Sequence, residues 1–157
     1  MESRQQEHGR IVVGVDGSES SRAALAWAVR QAELTHATVN AVTAWEYPPL
    51  YGSLGWLEAP DELRATLELS AGQALSDTVG SVVDPRTGPR VETVVAYGTA
   101  AAVLLDAARG ADLLVVGSRG RGGFSGALLG SVSRHCTAHA PCPVVVVRGT
   151  GQPAERR

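Results

Sequence analysis

Short apolar runs alternate with amphipathic segments along this chain, and the alternation restricts the fold more than any other feature. Five runs have the composition of buried β-strands: 10–15, 37–44, 90–97, 112–117 and 143–148. Apolar residues recur at helical spacing between them, at 18–34, 59–83, 99–109 and 130–138. The pattern predicts an α/β fold, a doubly wound five-stranded parallel sheet in the order 3-2-1-4-5 with helices on both faces.

The chain has 157 residues, which predicts a single domain. We assign residues 10–148 to that domain and residues 1–9 and 149–157 to mobile tails. With 44% hydrophobic residues, 19% charged residues and a net charge of −2, the chain is neither a disordered polyelectrolyte nor a basic nucleic-acid coat. Its apolar runs are too short to span a membrane and its start is polar, so we expect a cytoplasmic protein without a membrane or nucleic-acid partner.

Arginine supplies all 14 basic residues, and the sequence contains no lysine. A P-loop lysine, a Schiff-base lysine and a lysine general base are therefore excluded. Residues 113–157 hold 6 arginines against one acidic residue, whereas residues 1–112 hold 8 arginines against 15 acidic residues. The positive C-terminal part indicates an anionic partner, which must be held by arginine, backbone or serine.

A glycine-rich loop follows the fourth predicted strand. Gly117 and Gly120 are followed, after nine residues, by Gly130 and Ser131 at the start of the last predicted helix. Glycines allow a sharp turn and a close approach to a ligand, and N–H groups at a helix N-terminus bind phosphate. In the order 3-2-1-4-5 the carboxyl ends of strands one and four flank the ligand crevice, so we expect Asp16 opposite this loop.

These features resemble the ATP-binding subgroup of the universal stress protein family, over about residues 10–148. That subgroup has glycine, two residues, glycine, nine residues, then glycine followed by serine or threonine, and the loop fills the pattern without a gap. The segments VGVDGS at 13–18 and APCPVVVV at 140–147 also resemble the family. The resemblance implies that Asp16 bonds the ribose, that the backbone near Val15 and Val42 frames the adenine, and that the loop and residues 130–133 wrap the triphosphate. The implied ATP-binding residues are Gly14, Val15, Asp16, Val42, Gly117, Arg119, Gly120, Arg121, Gly130, Ser131, Val132 and Ser133.

The resemblance further implies a nucleotide-dependent stress-response regulator that binds ATP, with or without Mg²⁺, and hydrolyses little or none of it. Its downstream protein partner is unknown. Two alternatives stay open: a slow adenine-nucleotide hydrolase and a ligand-free protein-interaction module. An ATP pyrophosphatase is disfavoured because it would need an SGGxDS-like loop after strand one, where this chain has VDGSES. A nucleotidyltransferase is disfavoured because the sequence lacks an HxGH signature. We assign no catalytic and no metal-binding residue.

Two further segments suggest contacts. Residues 45–60 hold four of the seven aromatic residues in no regular pattern, which favours a lid over the nucleotide or a partner surface. The alternative is that they pack over the second predicted helix as a satellite core. The apolar closing strand lies at the predicted sheet edge, so we expect a homodimer through residues 143–148.

Histidine and cysteine cluster near the last predicted helix and superficially resemble a metal site. His135 and His139 lie four residues apart, with Cys136 and Cys142 nearby, but no carboxylate occurs between Leu113 and Ala154. We interpret the histidines as favoured by the negative end of the helix. The sequence leaves open whether the two cysteines form a disulfide, although a reducing cytoplasm argues against one.

Overall fold

Five parallel strands form one sheet in the structure, a computed structural model that describes residues 8–120 and 129–149. The strands are β1 (Arg10–Gly14), β2 (Thr38–Trp45), β3 (Val91–Tyr97), β4 (Leu113–Gly117) and β5 (Val144–Val147). Their order is β3-β2-β1-β4-β5, and every neighbouring pair is parallel. The predicted α/β class and the strand order 3-2-1-4-5 are confirmed.

Within the described residues, five helices connect the strands. They are α1 (Glu19–Thr35), α2 (Pro49–Ser53), α3 (Asp61–Val82), α4 (Ala100–Ala107) and α5 (Ser131–His139). The side chain of Ser18 caps α1 by accepting from the N–H of Ser21, and Thr99 caps α4 through the N–H of Ala102. Both caps satisfy a backbone donor that the helix itself cannot pair.

The short helix α2 was not predicted from the sequence. It lies inside the aromatic segment 45–60 and starts at Pro49, directly after Pro48. Proline suits the first position of a helix because its φ is already fixed and its missing N–H would have no partner there. One turn of helix at this point has too few apolar positions to produce a periodic signal.

Different helices cover the two faces of the sheet. Val13 and Val115 pack in one core cluster with the apolar face of α1, whereas Val12 and Leu114 pack in a second cluster with residues of α4 and α5. All four side chains are fully buried. Successive side chains of a strand point to opposite faces, so a strand covered on both sides must be apolar throughout. This packing confirms that helices lie on both faces of the sheet.

The strand order brings four chain segments to one edge of the sheet. Val13 pairs with Val115, so the carboxyl ends of β1 and β4 lie side by side, and α1 and α5 begin near those ends. No helix within the described part of the chain is long and apolar enough to cross a membrane. The predicted tails fall mainly on residues 1–7 and 150–157, which lie outside the described residues, as does the loop 121–128.

Candidate functional site

A cavity of about 430 Å³ opens at the carboxyl edge of the sheet. Its walls come from the turn after β1, the end of β2, helix α4, the loop after β4 and the first turn of α5. Doubly wound sheets bind their ligands at such a point, where the chain connections from two neighbouring strands lead to opposite sides of the sheet. The cavity is therefore the candidate site.

The structure brings together nearly all the residues predicted from the sequence. Those that line the cavity are Gly14, Val15, Asp16, Val42, Gly117, Arg119, Gly120, Gly130, Ser131, Val132 and Ser133. Arg121, the remaining predicted residue, lies outside the described residues. Further lining residues, which sequence reasoning missed, are Ser18, Ser21, Thr43, Ala44, Ala100, Leu104, Val116, Leu129 and Arg134. Most of these are small or apolar and carry no local signal of ligand contact.

Asp16 is fixed at the cavity by its own turn. Its Oδ1 accepts the N–H of Ser18 at 2.9 Å, and its N–H donates to the hydroxyl of Ser21 at 3.3 Å. A carboxylate that accepts the N–H two residues further on forms an Asx turn, which here leads into the cap of α1. The other oxygen faces the glycine loop, because a Cβ on Gly120 would lie 2.9 Å from Oδ2. An exposed carboxylate is thus held directly beside Gly120.

Close packing requires glycine at position 117 of the loop but not at position 130. A Cβ on Gly117 would lie 2.5 Å from Ser20 Oγ and 2.7 Å from the carbonyl carbon of Ser20. Gly117 is thus required by the close packing of α1, whereas the sequence argument gave it a ligand-related reason. A Cβ on Gly130 would make ordinary 3.5 Å contacts with the backbone of Arg119 and Gly120. A side chain there would start out against the loop backbone.

Helix α5 begins at the cavity, and no side chain of the described residues caps its N-terminus. Gly130 is the N-cap residue, and its own N–H donates to the carbonyl of Ser118 at 2.7 Å. The next three N–H groups, those of residues 131–133, have no partner within the helix because the first turn of an α-helix never provides one. Together with the helix dipole they favour a negatively charged group in the cavity.

The hydroxyl of Ser133 does not serve the cavity as a donor. It donates to the carbonyl of Gly117 at 2.6 Å, and the residue is buried. A hydroxyl has one proton, so this bond leaves the Ser133 side chain without a proton to donate to a phosphate. The contribution of Ser133 to an anion is limited to its main-chain N–H in the first turn of α5.

The described lining combines apolar and charged residues. Val42, Ala44 and Leu104 lie on the side of β2 and α4. The charged lining residues are Asp16 after β1, Arg119 in the loop and Arg134 in α5. This combination suits a ligand with an apolar part and an anionic part.

The aromatic segment 45–60 does not line this cavity. The ring centroid of Trp45 lies 5.3 Å from that of Tyr47 and 5.0 Å from that of Tyr97, which ends β3. Trp45 is buried, whereas Trp56 is 80% exposed. The rings therefore cluster at the ends of β2 and β3 instead of covering the cavity, and the lid hypothesis gains no support from this arrangement.

The histidines and cysteines of the α5 region show no metal-ligand geometry. The rings of His135 and His139 lie 4.6 Å apart, and the described residues contain no group of three or more His, Cys, Asp or Glu that could hold a metal ion. Cys136 is buried, Cys142 is partly buried, and both are free thiols. Burial raises the pKa of each thiol above its ordinary value, so both stay protonated at neutral pH.

Comparisons with known proteins identify close similarity to one family. The universal stress protein family matches residues 7–148. A universal stress protein of Mycolicibacterium smegmatis is 35% identical over 155 residues, which cover 94% of this chain and 50% of the relative. A universal stress protein of Thermus aquaticus is 36% identical over 141 residues, which cover 88% of this chain and 97% of the relative. The chain thus spans about half the length of the mycobacterial relatives it matches and nearly all of the Thermus relative.

Two solved structures have the same architecture. The universal stress protein UspA from Lactobacillus plantarum superposes with a TM-score of 0.72 at 26% identity, covering 90% of this chain and 98% of its own. A universal stress protein in complex with cAMP superposes with a TM-score of 0.57 at 27% identity, covering 89% of this chain and 96% of its own.

Proposed function

This chain belongs to the universal stress protein family, and we propose that it is an ATP-binding member, a nucleotide-dependent stress-response regulator that hydrolyses little or no ATP. The observation that supports this most is the meeting of Asp16, Gly120 and the first turn of α5 in one cavity. The similar structure that contains cAMP supports an adenine nucleotide as the ligand. The proposal assigns the binding to a domain of residues 10–148.

In this proposal ATP lies along the crevice from β2 towards α5. The adenine packs against Val42 and its apolar neighbours, and the ribose hydroxyls donate to Asp16. The phosphates accept from the N–H groups of residues 131–133 and from the glycine loop. Arg119 and Arg134 add positive charge where the phosphates lie, and hydrogen bonds between ionised partners are roughly twice as strong as neutral ones.

The lining residues favour binding over turnover. Asp16 is the only carboxylate among the described lining residues, and none of these is histidine or cysteine. Oδ1 of Asp16 already accepts the N–H of Ser18, and the proposal places this carboxylate at the ribose. A general base must reach the water that attacks the terminal phosphate, and the absence of lysine from the sequence excludes a further class of base.

Equilibrium titration of ATP, with and without Mg²⁺, tests the proposal on three proteins. Wild type and Gly80→Val should bind equally, because Gly80 is exposed in α3 and a Cβ there meets nothing within 4 Å. Gly120→Val should lose binding, because its side chain would press against Asp16. The bound nucleotide, analysed after hours, should still be ATP.

Each contrary outcome favours one of the alternatives. Rapid conversion to ADP or AMP would identify a hydrolase. Failure of the wild type to bind any adenine nucleotide would contradict the proposal and favour a ligand-free interaction module. Equal affinity of wild type and Gly120→Val would remove the site assignment.

The proposal includes a homodimer formed through residues 143–148. β5 is an edge strand, and its four valines are only partly buried. On one side β5 pairs with β4: the carbonyl of Pro143 accepts the N–H of Leu114, and that of Val147 accepts the N–H of Ser118. Alternate residues of β5 therefore direct their N–H and C=O groups to the opposite side, away from β4. An unpaired apolar edge can pair with a second copy about a twofold axis. Light scattering at micromolar concentration should give twice the chain mass, and a monomer mass would contradict the dimer.

A further inference from the structure

Ser20, in the first turn of α1, forms two hydrogen bonds with one residue of the loop after β4. Its hydroxyl donates to the carbonyl of Arg119 and accepts the N–H of Arg119 at 3.3 Å. The hydroxyl of Ser18 approaches the same carbonyl at 3.4 Å. Ser20 is only 6% exposed, so these bonds face little competition from water. Helix α1 therefore fixes the orientation of the peptide group that joins Arg119 to Gly120.

That orientation decides what the loop offers to an anion. In a trans peptide the C=O of one residue and the N–H of the next point in opposite directions. Because the carbonyl of Arg119 is turned towards α1, the N–H of Gly120 points away from α1. The nitrogen of Gly120 lies beside the start of α5, since a Cβ on Gly130 would be 3.5 Å from it. If this peptide flipped, a carbonyl oxygen would replace an N–H donor and repel a phosphate.

The two carbonyls before Arg119 are tied in a similar way. The carbonyl of Gly117 accepts from the hydroxyl of Ser133 at 2.6 Å, and that of Ser118 accepts from the N–H of Gly130 at 2.7 Å. Three consecutive carbonyl oxygens are thus bonded to donors within the protein. Two of the donors are buried serine hydroxyls, one from α1 and one from α5.

We propose that Ser20 is a positioning residue for the phosphates of the nucleotide, because through Arg119 it holds the Gly120 N–H in the direction that favours an anion. The inference rests on the proposed function above. Ser20 does not line the cavity, so it acts on the ligand only through the loop. The affinity for phosphate then depends on a residue on the far side of the loop from the ligand, while the adenine and ribose contacts do not.

The test compares the affinities for ATP and for adenosine in the full chain. Ser20→Ala should bind ATP about tenfold more weakly, the factor expected for one hydrogen bond, whereas adenosine should bind as it does to the wild type. Ser81→Ala is the matched control, because the Ser81 hydroxyl also donates to a main-chain carbonyl, that of Thr78 at 2.7 Å, but lies in α3, away from the cavity. It should change neither affinity.

The outcomes separate this inference from the function on which it rests. An equal loss of ATP and adenosine in Ser20→Ala would show a purely structural role, and an unchanged ATP affinity would show that the loop needs no support from α1. Both results overturn the inference while the wild type still binds ATP. A wild type that binds neither ligand contradicts the proposed function itself, and the inference falls with it.

Discussion

One methyl group added at Gly117 should destabilise the fold in the absence of any ligand. The new Cβ would lie 2.5 Å from Ser20 Oγ, 2.7 Å from the carbonyl carbon of Ser20 and 2.8 Å from the nitrogen of Ser21. Two of these atoms belong to the backbone of α1 and cannot rotate away, and the Ser20 hydroxyl is held by Arg119. Relief requires α1 and β4 to move apart, and such overpacking costs about 1–3 kcal/mol.

Urea and thermal unfolding, followed by tryptophan fluorescence, measure this cost. For a chain of this length each kcal/mol shifts the melting temperature by about 2–4 °C, so Gly117→Ala should melt roughly 2–12 °C below the wild type. Gly72→Ala, inside helix α3, is the matched control, because its Cβ would make an ordinary 3.7 Å contact with Val95 of β3. Removing a glycine from a helix interior should raise the free energy of unfolding by about 0.5–1 kcal/mol. Shifts of the same sign in both variants would refute the packing explanation of Gly117.

Asp16 and the two cysteines give further predictions, each with its own comparison. Asp16→Ala should weaken ATP binding by about 1–3 kcal/mol in a calorimetric titration, whereas Asp84→Ala, which removes a similar turn carboxylate that accepts the N–H of Arg86 at 2.8 Å, should leave it unchanged. In the folded protein a thiol reagent should modify Cys142 before Cys136, because Cys136 is fully buried, and equal labelling rates would contradict the packing of α5. Burial raises the folded-state pKa of Cys136, so the unfolded chain loses this proton first and the free energy of unfolding should fall as the pH rises above the ordinary value of 9.0. Cys136→Ala should show a smaller fall over the same alkaline range.

Sheet order, and the meeting of the predicted residues at one candidate site, could be predicted because both depend on patterns that repeat along the chain. The alternation of apolar runs with helical segments predicts a parallel doubly wound sheet, and in the common strand order of such sheets the first and fourth strands are neighbours. Their carboxyl ends then meet, and Asp16 comes to lie beside Gly120. That juxtaposition follows from topology alone and needs no knowledge of side-chain packing.

The finer features depend on contacts between distant segments, which no local pattern encodes. Gly117 looks like any loop glycine until α1 is packed against it. The hydroxyl of Ser133 looks like a phosphate donor until the carbonyl of Gly117 is found 2.6 Å away. Ser20 gave no functional signal, because its partner Arg119 lies 99 residues further along the chain. Ala100 and Leu104 likewise reach the cavity only because α4 folds over β1 and β2.

The most direct test of ATP binding in this cavity is a titration of the labelled protein with ATP, followed through its backbone amide NMR signals. The signals of Gly120 and of residues 131–133 should shift together and saturate, whereas those of the separate surface pocket near His8 and His36 should stay in place. Saturable shifts that leave Gly120 and the first turn of α5 unaffected would contradict the assignment of the phosphates to this site.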